Sequence, residues 1–171
     1  ARQVGKSTLV KIFAASNAIT LHEINLERHP QLNQLFKTSS TENILKELSF
    51  IIGKGDIKNG KTLLFLDELQ ATPAAIPFLR YLYEEHPELA VVCAGSLLEF
   101  TLAEHSYSMP VGRIEYLFMG PMTFSEFLIA HNENDLHELI ANYSKGYFPL
   151  SAHERLLYRF RDYLIVGGMP E

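Results

Sequence analysis

Helical and strand rhythms alternate along the first two thirds of the chain. Leu9, Val10, Phe13 and Ala14 recur at helical spacing behind Lys6, which predicts a helix over 6–16. AITLHEINLE (18–27) is rich in Ile and Leu and predicts a strand. Residues 41–52 read as a helix led by a capping box of Ser39 and Glu42. GKGDIKNGK (53–61) is a polar turn. TLLFLDE (62–68) is an unbroken apolar run ending in two acids, the mark of a strand buried on both faces of a parallel sheet. Ile76, Leu79, Leu82 and Tyr83 predict a helix over 74–86 that stops near Pro87. LAVVCAGS (89–96) reads as another buried strand, and RIEYLFMGP (113–121) as a strand closed by Pro121. The remainder is helical. Thr123 with Glu126, and Ser151 with Glu154, form two more capping boxes. Leu156, Leu157, Phe160, Tyr163 and Leu164 make an apolar stripe on the last helix.

Strands alternating with helices, then helices alone, predict an α/β parallel sheet flanked by helices with a helical C-terminal segment. The boundary falls at Pro121, giving a core over 1–121 and a helical extension over 122–171. The chain has 171 residues, 47% of them hydrophobic, enough for one ordinary core. A net charge of −5 argues against an overall basic footprint for nucleic acid. Cys93 is the single cysteine, so no disulfide framework forms within the chain, and a reducing cytoplasm suits it. No apolar run reaches the length of a membrane helix.

The chemistry gathers at four places. ARQVGKST (1–8) fits the phosphate-binding fingerprint G-x-x-x-x-G-K-[ST] from its second position onward. Its leading glycine falls just before Ala1, so the chain reads as a segment cut from a longer protein. Val4, Gly5, Lys6, Ser7 and Thr8 form the cofactor-binding stretch. The backbone amides from Val4 to Ser7 and the helix dipole meet phosphate, and Gly5 lets the backbone come close. Lys6 reaches the β- and γ-phosphates and the Ser7 hydroxyl binds Mg2+. Asp67 and Glu68 end a buried strand, where a parallel sheet opens its ligand crevice. Asp67 is the second metal-site residue, and Glu68 is placed to orient or deprotonate a water. The alternative is that both acids are helix-starting residues, since acids favour a first turn.

Ser96 follows the next strand. It is either a hydroxyl that senses the γ-phosphate or an N-cap for LLEF (97–100). Arg113 is either a cation for the transferring phosphoryl group or a surface partner of Glu115. The histidines show no metal spacing, and Cys93 reads as inert core. Arg155 and Arg159 share a helix face with Asp162, the pattern of a solvated face that could also touch nucleic acid.

RQVGKSTL, LFLDELQ, CAGSLL, VGRIEYLFMGPMTFSEFL and YLIVGGMPE together resemble the archaeal and bacterial AAA-type P-loop ATPases with an R-Q-V-G-K-[ST] loop. The resemblance runs over nearly the whole chain. It implies a sheet ordered 5-1-4-3-2, of which strand 1 is missing here, so the isolated chain is expected to bind ATP poorly and to aggregate. It also implies winged-helix and further domains beyond the closing GGMPE, and DNA or protein partners through them. Lys6 and Ser7 carry over as Walker A, Asp67 and Glu68 as Walker B, Ser96 as the first sensor and Arg113 as the family's G-R arginine. The function expected is ATP binding and Mg2+-dependent ATP hydrolysis, with ATP and Mg2+ as the bound groups and oligomers within reach. A nucleotide-gated, DNA-associated switch with little turnover is the alternative. A small-molecule kinase is disfavoured because Glu68 directly follows Asp67, which argues for water as the acceptor.

Overall fold

The computed structural model describes residues 3–53, 55–57, 61–96 and 112–169. They divide into two compact units, Gly5–Leu117 and Phe118–Glu171 with the first four residues.

In the first unit, helix α1 (Lys6–Ser16) leads into strand β1 (Thr20–Asn25) and a short 3-10 turn capped by the Asn25 side chain. Helix α2 (Leu32–Thr38) and helix α3 (Thr41–Ile52) follow. Strand β2 (Thr62–Asp67), a 3-10 turn (Leu69–Ala71), helix α4 (Ala75–Glu85) and strand β3 (Ala90–Cys93) complete the order. Among the described residues the strands form one parallel sheet, β1-β2-β3. Asn25 pairs with Asp67, and Leu66 with Cys93.

The predicted burial of the central strand holds: Leu63, Leu64, Phe65 and Leu66 are all buried. Leu64 and Leu66 join Ile24, Leu45, Leu48, Ile76, Phe78 and others in one core, with the ring of Phe36 set 5.0 Å from that of Phe78. Complete burial of such side chains stabilises by about 1.5–3 kcal/mol each. Cys93 packs against this core, and burial pushes its thiol up to about 12, so it stays protonated and unreactive at neutral pH.

Several local expectations change. Helix α2 was not anticipated. Because it runs to Thr38, Ser39 closes it in an extended conformation, and Ser40 rather than Ser39 caps α3, accepting from Asn43 N–H. The stretch 113–121 is not a strand. It pairs with no strand among the described residues, and Leu117 is 96% exposed. Extended backbone without a ladder partner has no reason to become a strand. Ala1, Arg2, parts of the 53–61 turn, the helix expected over 97–100 and the final Pro170-Glu171 lie outside the described residues.

The second unit holds helix α5 (Phe124–Ala130), helix α6 (Asn134–Ala141) and helix α7 (Leu150–Val166). The Thr123–Glu126 capping box is formed in both directions. The Ser151–Glu154 box is not, because α7 starts a residue earlier behind Pro149 and takes Ser151 into the helix. Phe124 and Phe127 pack on Phe160 and Tyr163 of α7. Gly168 is required by close approach: a Cβ there would run into the Met122 backbone. Leu157, Phe160 and Leu164 of the expected apolar stripe remain partly exposed. No helix among the described residues is long and apolar enough to cross a membrane.

Candidate functional site

Gly5 caps α1 with φ 87° and ψ 15°, a left-handed conformation open to glycine and strained for other residues. Val4, just before it, is buried. The first intrahelical bond runs from Leu9 N–H to the Gly5 carbonyl at 2.9 Å, so the amides of Lys6, Ser7 and Thr8 precede it. No acidic residue stands in the first turn and no side chain caps it. Within the first turn itself nothing offsets the positive end of the helix, an arrangement that suits an anion.

The opposite wall is the end of β2. Asp67 is 8% exposed, and its Oδ2 accepts a 2.8 Å hydrogen bond from the Ser7 hydroxyl. Its other oxygen accepts from Glu68 N–H at 3.0 Å. The lysine-serine loop and the buried acid, 60 residues apart, thus meet. Hydroxyl and carboxylate oxygens are the hard ligands Mg2+ takes beside phosphate oxygens. Among the described residues no three His, Cys, Asp or Glu side chains converge on a metal position. A cation here would rely on Ser7, Asp67 and the nucleotide's own phosphates, which is how Mg2+ is commonly held.

Glu68 follows with φ 55° and ψ 47°, left-handed in a residue that has a Cβ. Such a conformation costs about 1–3 kcal/mol and persists where surroundings impose it. Here Leu69 N–H donates to the Ala94 carbonyl at 2.9 Å, pinning the turn to the end of β3. The same pinning brings in a residue that sequence reasoning left without a role. Gln70 Nε2 donates to the Glu68 carboxylate and, at 3.4 Å, to Ser96 Oγ. Its only signal in the sequence is its place in LDELQ.

Ser96 is buried at this edge. Arg113 is held by Glu84 of α4 at 3.0 Å, rather than by the Glu115 considered from sequence. The Arg80 hydrogen bond, aided by Arg113, keeps the Glu84 carboxyl below its ordinary value.

The helical unit has its own polar cluster. Glu133 accepts from Arg155 and from Arg159, and Asp135 accepts from Arg155 at 2.9 Å. A shallow hollow of about 390 Å3 opens over Glu133, Glu154, Arg155, Tyr158 and Arg159. With the two arginines already paired to acids, this face is a structural clamp between helices.

A family model described as AAA domain matches residues 1–128. No curated protein and no solved structure matches the chain. The match takes in Gly5, Ser7, Asp67, Glu68 and Ser96 alike, and it agrees with a parallel sheet flanked by helices. On this match over most of its length, the chain belongs to the AAA domain family of P-loop ATPases, and its function is of the nucleotide-binding ATPase type.

Proposed function

We propose that the protein binds ATP and hydrolyses it with Mg2+. The observation that carries the reading is the 2.8 Å hydrogen bond between Ser7 and Asp67 beside an uncapped helix N-terminus. The amides from Val4 to Thr8 cradle the phosphates, and the Lys6 ammonium neutralises the β- and γ-oxygens. Mg2+ held by Ser7 and Asp67 would supply charge neutralisation at those oxygens. Glu68 orients the attacking water and takes up its proton. The water oxygen bonds to the γ-phosphorus as the bond to the bridging oxygen breaks, leaving ADP and phosphate. Ser96 senses the terminal phosphate, and Arg113 is the candidate cation for charge on the transferring group. Residues 1–121 carry this activity and 122–171 form a helical extension.

The test is Glu68→Gln. ATP affinity should stay within about twofold while turnover falls by about 10²–10⁴, the usual contribution of a general base. Unchanged turnover rejects Glu68 as the water-orienting group. ATP binding by the unaltered protein without turnover assigns the nucleotide-gated switch instead.

A further inference from the structure

Gln70 occupies a position that stability alone does not explain. Its Nε2 group donates to Glu68 Oε2 and to Ser96 Oγ. Turning the amide over would set Oε1 against the negative Glu68 carboxylate, so the charge on Glu68 fixes which way the carboxamide faces. The consequence is an unmet acceptor: Gln70 Oε1 is buried and has no hydrogen-bond partner among the described residues. A buried, unpaired carbonyl is destabilising. An apolar residue of similar size would avoid that penalty, yet the chain keeps a carboxamide between an acid and a hydroxyl.

The backbone puts it there. Ala94 N–H donates to the Leu66 carbonyl at 3.0 Å and the Ala94 carbonyl accepts from Leu69 N–H at 2.9 Å. The turn after β2 is thereby fastened to the exit of β3, and Gln70 and Ser96 arrive side by side although 26 residues separate them.

We propose that Gln70 is a positioning residue that couples Ser96 to Glu68. A serine hydroxyl has one proton and two lone pairs. When that proton is given to a γ-phosphate oxygen, a lone pair still faces Gln70 Nε2. The amide, held on one N–H by Ser96, then holds the Glu68 carboxylate with the other. ADP lacks the terminal phosphate, so Ser96 stays unanchored and the carboxylate is less firmly placed. The inference rests on Glu68 and Ser96 acting as assigned under the proposed function.

The test is a double-mutant cycle on the full chain, reading steady-state ATP turnover beside ATP and ADP affinity. Gln70→Met keeps the length and removes the donor without adding charge; Gln70→Ala removes both length and donor. Each should lower kcat by about 10–100-fold, the typical cost of losing a group that orients a reacting one. KM and ADP affinity should stay within about twofold. Combining Gln70→Ala with Ser96→Ala should cost little more than the worse single change, because the two act as one unit. Full additivity overturns the coupling. So does unchanged kcat in both Gln70 variants, or loss of folding in both, which would make the residue structural. A protein that turns ATP over, loses that in Glu68→Gln and keeps it in the Gln70 variants overturns this inference alone. No turnover in the unaltered protein overturns the ATPase reading and this inference with it.

Discussion

The Ser7 hydroxyl and the Asp67 carboxylate stand 2.8 Å apart, oxygen to oxygen, at the head of a helix and the end of a strand. One substitution on each side should report on their shared task. Ser7→Ala and Asp67→Asn should each weaken Mg2+-dependent ATP binding by about 10–100-fold. Affinity measured in EDTA should hardly move. Titration of nucleotide with and without Mg2+ checks this, and equal losses in both conditions would mean the pair only holds the loop in shape.

Lys6 begins α1, next to the left-handed Gly5. Losing a charged hydrogen-bond donor typically removes about 1.5–3 kcal/mol. Lys6→Ala should therefore lower ATP affinity by about 10–150-fold, and ADP affinity by less if the ammonium serves the γ-phosphate as well as the β. Calorimetric titration with both nucleotides gives the answer.

Phe65 is fully buried in the middle strand. Phe65→Ala should destabilise the sheet unit by about 3–5 kcal/mol through lost transfer energy plus the cavity left behind. Urea unfolding followed by circular dichroism should show a lower midpoint. A midpoint shift worth less than about 1 kcal/mol would mean the core closes over the gap.

The helical unit carries a pH dependence of defined sign. The Arg159 and Arg155 hydrogen bonds hold the Glu133 carboxyl below its ordinary value, and Arg155 does the same for Asp135. Folded values depressed in this way give stability that is present above the unfolded carboxylate values. It is lost as pH falls through the folded ones. Between neutral pH and pH 5 the unit should hold steady, then weaken as pH drops below 4.5, the ordinary value for Glu133. In Glu133→Gln that acid-side slope should flatten, which thermal unfolding across pH 2–7 would reveal.

Much of this is legible in the sequence alone. The run LLFLD announced a doubly buried strand because a parallel sheet covered on both faces asks for unbroken apolar side chains. Helix α1 and the Thr123–Glu126 box were legible because their signals are local, within one helical turn. Short-range signals misled where neighbours compete. Ser39 and Ser40 are equally good caps by composition, and the choice fell to Ser40 only because a preceding helix uses Ser39 as its end. Residues 113–121 have the composition of a strand, yet strand formation depends on a partner lying alongside, which no composition reports.

By itself, the sequence determined the alternation of strands and helices, a parallel sheet and the chemical kinds of residue at the carboxyl ends of its strands. Those properties follow from periodicity and side-chain type, which act over a few residues. Only the tertiary structure decided that Ser7 reaches Asp67, that Glu84 holds Arg113, and that Gln70 lies between Glu68 and Ser96. Each of those contacts joins separate elements or turns on a backbone bent out of its ordinary range, as at Glu68. The Gln70 contacts are set by how the β2 and β3 ends are fastened together, a long-range condition that no local pattern encodes.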